Sequence, residues 1–313
     1  MPRKVIIDCD PGIGDALALV LALFEPQLDV VAITAVAGNV SAEQATTNVQ
    51  AIVEQLDPPR YPRLGAAMPG DEVPFTDGRY LHGPDGLGGA NLPVSQLFRQ
   101  HLADKLISDE VRAAPNEITL LCLGPLTNVA RALAREPDLV DLINRIVIAG
   151  GSVKGVGNVT PCAEFNIYAD PVAARTIFRS PITKTIIPLD VTDQVVWTLD
   201  LLDRLPPDFT RAGALVRATL PYLFRSHRQH LGLENIRLPE AVALAAVVHP
   251  DWFQMEELPG DVETRGEITL GATIFDRRPN ATRQADLEVA LGVDASLVAD
   301  YVLRGLAEAG RQT

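Results

Sequence analysis

Cysteine is scarce, at three residues in 313. Cys9, Cys122 and Cys162 show no metal-ligand spacing and form no even framework, so they read as packed thiols of a reducing compartment. Basic residues are outnumbered as well. Against 40 Asp and Glu stand 27 Lys and Arg, a formal net charge of −13, which excludes a nucleic-acid partner because such binding draws its affinity from clustered cations. Long apolar runs are missing: none reaches the roughly 18 residues that a membrane helix needs. The chain enters Lys4-Val5-Ile6-Ile7 without a signal peptide. These absences predict a soluble, cytoplasmic protein with no membrane partner and a small-molecule substrate.

What is present is ordinary for an enzyme: 47% hydrophobic and 21% charged residues, with 24 Pro and 23 Gly spread along the chain. A single domain over residues 1–313 is expected. Apolar runs at 4–9, 28–35, 117–123, 142–149 and 184–189 lack polar alternation and read as strands buried on both faces. Helical periodicity marks 13–24, 41–56 with Ser41 as cap, 171–179, 211–230, 239–248 and 294–307. Residues 262–276 alternate as a hairpin does. Strands alternating with amphipathic helices predict an α/β fold whose central sheet is mostly parallel and covered by helices on both faces.

In such sheets ligands bind beyond the carboxyl ends of the strands, and polar clusters follow five of the runs. They are Asp8-Cys9-Asp10-Pro11-Gly12-Ile13-Gly14-Asp15, Ala37-Gly38-Asn39-Val40, Leu123-Gly124-Pro125-Leu126-Thr127-Asn128, Gly150-Gly151 with Gly157-Asn158, and Asp190-Val191-Thr192-Asp193. Three carboxylates within eight residues repel one another unless protonated, solvated or bound to a cation. Oxygen-only donors suit calcium or magnesium rather than zinc. A structural reading stays open beside this one: Asp8 as a strand end, Asp10 in an Asx turn, Asp15 at a helix start.

Taken in order, Asp8-Cys9-Asp10-Pro11-Gly12, Gly38-Asn39, His82-Gly83-Pro84-Asp85-Gly86-Leu87-Gly88-Gly89, Gly124-Pro125-Leu126-Thr127-Asn128, Ala163-Glu164-Phe165-Asn166 and Val262-Glu263-Thr264-Arg265-Gly266 resemble the inosine–uridine nucleoside hydrolase family nearly end to end. The resemblance implies hydrolysis of a ribonucleoside N-glycosidic bond with a calcium ion held by Asp10, Asp15, the Leu123 carbonyl and Glu240. It implies that Asp10 takes the proton of the attacking water. Asn39, Asn158, Glu164 and Asn166 fall where the family grips ribose, and His82 falls where it faces the base. A homodimer or homotetramer is the assembly it implies.

The sequence also departs from the family pattern. A second Asp that bonds the ribose 2′-hydroxyl is Gly14 here, so one sugar contact is expected to be missing. The family's His-Asp pair aligns with Pro239-Glu240, and Pro239 has no proton to give. The His of an Asp-x-Thr-His motif is Asp193. His227 and His230 are candidates to replace the lost acid, His227 the better placed, against the reading of solvent-facing histidines on a basic helix end. Two other functions compete: a catalytically weakened nucleoside-binding protein, and a haloacid-dehalogenase-like phosphatase built on the Asp8-x-Asp10 pair.

Overall fold

Val5, Ile6 and Ile7 are fully buried, which explains why their run carries no polar alternation. They lie in β1 (Arg3–Cys9), which pairs in parallel with β2 (Leu28–Ala35) on one side and with a strand at Thr119–Cys122 on the other. Successive side chains point to opposite faces. Val5 and Ile7 enter one hydrophobic core and Ile6 the other.

The computed structural model describes residues 2–69, 76–95, 101–279 and 286–313. The remaining strands are β3 (Arg63–Ala66), β4 (His101–Leu102), β5 (Thr119–Cys122), β6 (Arg145–Ala149), β7 (Lys184–Ile187), β8 (Phe253–Leu258), β9 (Gly260–Val262), β10 (Thr273–Phe275) and β11 (Leu287–Val293). One nine-stranded sheet runs in the order β4-β3-β2-β1-β5-β6-β7-β11-β8, parallel except for β8 at its edge. A short antiparallel pair, β9 and β10, stands apart. The result is a single-domain α/β fold with a mostly parallel sheet between helical layers. Among the described residues no helix is long and apolar enough to cross a membrane.

Helix Ile13–Leu23 is buried almost along its whole length and packs against Arg211–Ser226 and Pro239–Val248. Its central position explains why its sequence is apolar on all sides. Helix Ala42–Leu56 starts where Ser41 Oγ accepts from Gln44 N, as expected of a cap. The helix expected at 211–230 ends at Ser226 and widens into a π-helical turn, His227–Leu231. Strands β3, β4, β8 and β11 and helix Ala103–Ala113 add to the expected elements. Exposed residues such as Gln254, Glu256 and Glu257 on β8 give this edge strand no apolar run to read.

Candidate active site

The carboxyl ends of the adjacent strands β2, β1, β5, β6 and β7 open onto one cavity of about 370 Å³, within the size range of small-molecule sites. Residues from all five expected clusters reach this region. Asn39, His82, Leu123, Asn158, Glu164, Asn166, His227 and Glu240 line the cavity. Asp10 and Asp15 lie in the loop and helix start beyond β1, with 1% and 0% of their surface exposed.

Asp8, the last acidic residue within β1, and Asp10, just beyond it, take different partners. Asp8 Oδ1 accepts from Thr34 Oγ1 at 2.6 Å and from Asn128 Nδ2 at 2.8 Å, which ties β1 to its neighbours, while Asp8 Oδ2 is buried without a hydrogen-bond partner. Asp10 Oδ2 accepts from Asn39 N at 2.6 Å, and Asn39 Nδ2 donates to the Asp10 carbonyl at 3.2 Å. A Cβ on Gly38 would stand 2.0 Å from Asp10 Oδ2, which is why glycine precedes Asn39.

Asp15 combines a structural and a chemical position. Its Oδ2 accepts from Gly12 N at 2.9 Å at the start of helix Ile13–Leu23, where the dipole favours a carboxylate. Its Oδ1 is buried without a hydrogen-bond partner, and so is Glu240 Oε2 in the first turn of helix Pro239–Val248. Burial pushes Asp15 up to about 7. Burial, then the Asp15 charge, pushes Glu240 up to about 8. Asp10 is raised by burial and by both of these neighbours. Among the described residues no three His, Cys, Asp or Glu side chains close into a metal cage by themselves. The donors that face one another are nevertheless hard oxygens, two of them orphaned, which fits a divalent cation with water and substrate oxygens completing its shell.

Around this floor stand the amides and Glu164. Asn166 Nδ2 donates to the Leu123 carbonyl at 2.7 Å and to the Ala149 carbonyl at 3.0 Å, bridging the ends of β5 and β6. Glu164 caps helix Phe165–Ala169, its Oε2 accepting from Ile167 N and Gly151 N at 3.2 and 3.1 Å. Burial pushes this carboxyl up to about 7. Asn158 Oδ1 accepts from Phe165 N at 2.9 Å.

Histidines and apolar side chains complete the lining. His82 ends a short helix, Arg79–His82, followed by a loop held by Asp85 Oδ1, which accepts from Leu87 N and Gly89 N. Gly88 has φ +69°, and a Cβ there would come 2.7 Å from Tyr222 Cβ. His227 is 7% exposed, so the solvent-facing reading is overturned for it, whereas His230 is exposed and sits edge-on to Tyr80 with ring centroids 5.8 Å apart. Burial lowers the pKa of His227, and its Nδ1 has no hydrogen-bond partner. Tyr80, Leu231, Leu233 and Arg237 also line the cavity and were missed from sequence. Arg237 Nε donates to the Asp193 carbonyl at 3.0 Å and lies 3.7 Å from Asp193 Oδ1, so the acidic replacement at 193 has a basic neighbour. The motif around Glu263 lies elsewhere, as a turn in which Glu263 Oε1 accepts from Arg265 N and Gly266 N.

A family model described as inosine-uridine preferring nucleoside hydrolase matches residues 5–300. The chain belongs to this family. It is 39% identical over 293 residues to the non-specific ribonucleoside hydrolase RihC of Salmonella enteritidis PT4, covering 93% of each chain. Against the RihC of Escherichia coli strain K12 / DH10B identity is 38% over 314 residues, covering 98% of this chain and 99% of that one. Among solved structures, the plant nucleoside hydrolase PpNRh1 superposes with a TM-score of 0.91 at 31% identity, over 98% of this chain and 99% of that chain. The purine-preferring ribonucleoside hydrolase from Gardnerella vaginalis does so with 0.90 at 28% identity, over 99% and 100%. This nucleoside hydrolase is therefore an enzyme of N-glycosidic bond hydrolysis. Membership of this family, matched over residues 5–300, sets the phosphatase reading aside.

Proposed function

We propose that the protein hydrolyses ribonucleosides in the cavity over Asp10, Asp15 and Glu240, with a calcium ion as cofactor, and with a leaving-group preference altered by Pro239. The observation that carries this reading is the pair of buried, unpartnered oxygens, Asp15 Oδ1 and Glu240 Oε2, at a cavity whose lining also holds His82 and His227. The carboxylates suit a cation and a cationic sugar, the histidines a departing base.

Breaking the C–N bond develops positive charge on the sugar ring. Asp10, Glu164 and Glu240 surround that charge with carboxylates, while Asn39, Asn158 and Asn166 supply amide groups for the hydroxyls. Asp10 is the base that receives the proton of the attacking water. A bound hard cation would polarise that water and fix vicinal hydroxyls. His82 and His227 face the base, and His227 donates the proton that Pro239 cannot.

The test is a panel of nucleosides incubated with the pure protein, with calcium and with a chelator, read as reducing sugar. Release of sugar that depends on calcium is expected. Binding of nucleosides by calorimetry with no base released would favour the weakened binding protein instead, the reading motivated by Pro239.

A further inference from the structure

Gly14 lies in the first turn of helix Ile13–Leu23 with no left-handed φ to require glycine, and glycine is among the poorest helix formers. What demands it is a neighbour. A Cβ built on Gly14 would stand 2.2 Å from Glu240 Oε2, 2.5 Å from its Cδ and 2.7 Å from its Oε1. Glu240, one methylene longer than Asp, thus fills the space over Gly14 with its carboxylate. Both residues line the cavity. Glu240 Oε2 is closed to solvent and unpartnered, and the charges of Asp15 and Glu164 bear on it, so a side chain added at position 14 would have to displace this carboxylate from its place beside them.

We infer that Gly14 and Glu240 are one unit, in which the carboxylate absent from position 14 is delivered from position 240 and selects the sugar hydroxyl there. The inference rests on the reading that this cavity binds a ribonucleoside. It replaces the expectation of a missing sugar contact: a carboxylate oxygen is available to accept from a hydroxyl, a charge-assisted bond that a deoxy sugar forfeits. Gly14→Asp would restore nothing, because its carboxylate would be driven onto the one already present.

The experiment is a double-mutant cycle of Gly14→Ala, Glu240→Ala and their combination, supplemented by Glu240→Gln. Three quantities are read: calcium affinity by calorimetry, melting temperature, and the ratio of kcat/KM for adenosine over 2′-deoxyadenosine. In the wild-type background Gly14→Ala should lower calcium affinity and the ribose preference about tenfold each, the loss of roughly one charge-assisted hydrogen bond. In the Glu240→Ala background it should change neither, and should raise the melting temperature slightly, because alanine is the better helix former. Glu240→Gln, which keeps the shape, should lose the ribose preference while keeping the fold. Equal effects of Gly14→Ala in both backgrounds would overturn the pairing, as would a ribose preference intact in Glu240→Gln. If no nucleoside is hydrolysed at all, the functional reading fails, while melting temperature and calcium affinity still decide whether the pair is coupled.

Discussion

Ile13 donates its backbone N–H to His82 Nδ1 at 3.0 Å. An imidazole nitrogen that accepts carries no proton, so neutral His82 holds its hydrogen on Nε2. Burial, helped by the nearby His227, lowers its pKa to about 4. His82 is therefore a neutral donor at pH 7 and not an acid that recycles a proton. Its effect on stability has a definite sign. Between pH 6.5 and about 4 the unfolded chain binds a proton at this site that the folded chain refuses, so its contribution is complete above 6.5 and is lost as pH falls through that window. Urea unfolding of wild type and His82→Gln at pH 7 and 4.5 should show a smaller acid loss in the variant; equal losses would refute the assignment.

The second prediction concerns His227, which lines the cavity together with Pro239. General acid catalysis contributes about 10²–10⁴-fold. His227→Ala should reduce inosine turnover by about that factor and leave p-nitrophenyl riboside, whose leaving group departs as an anion, nearly unchanged. Since burial lowers the pKa of His227, inosine hydrolysis in the wild type should decline as pH rises through a value below the ordinary 6.5. Inosine turnover undiminished in the variant would remove His227 from the reaction.

Much of the fold was legible because the physics was local. Helix Pro239–Val248 begins at a proline, and β1 is a continuous apolar run. The edge strands were not legible: β4 has two residues, and β8 holds three exposed polar residues, Gln254, Glu256 and Glu257, between its buried ends. The end of the α-helix at Ser226 was hidden for another reason. Helical periodicity continues into the π turn, and the long-range bond from Ser226 Oγ to the Leu81 carbonyl at the point where the helix widens leaves no trace in that periodicity.

Within the site, the carboxylates after β1 announced themselves by their mutual repulsion, and the family motifs supplied the amides. Leu231 and Leu233 gave no signal, since a single exposed leucine is ordinary on any surface. The Gly14–Glu240 contact was invisible for a deeper reason: sequence displays one residue's lost side chain and another's added methylene as two separate departures, and only the fold makes them neighbours.

Asn166 yields a third prediction, about stability. Its amide bridges the Leu123 and Ala149 carbonyls, both on buried residues. Asn166→Ala leaves two acceptors without a partner, and each such group costs about 1–3 kcal/mol. Denaturant titration of the chelator-treated protein should register a loss of at least about 1 kcal/mol. A loss of activity at unchanged stability would mean that Asn166 serves the sugar alone.

The last prediction joins metal and pH. Asp15 and Glu164 are pushed up to about 7 and Glu240 to about 8, chiefly by burial. In the metal-free protein these groups hold protons between about pH 4 and 8 that the unfolded chain has already released. The folded state then binds more protons than the unfolded one, so stability falls as pH rises through this window, opposite in sign to the contribution of His82. A cation competes with those protons. Calcium at a hundred times its dissociation constant stabilises by about 2.7 kcal/mol, and its dissociation constant should itself tighten as the carboxyls ionise. At one fixed calcium concentration the rise in melting temperature over chelator-treated protein should therefore be larger at pH 8 than at pH 5.5. Glu240→Gln should reduce that difference, because one of the titrating groups is gone. A calcium shift that is the same at both pH values, or larger at pH 5.5, would show that the ion does not sit among these carboxylates.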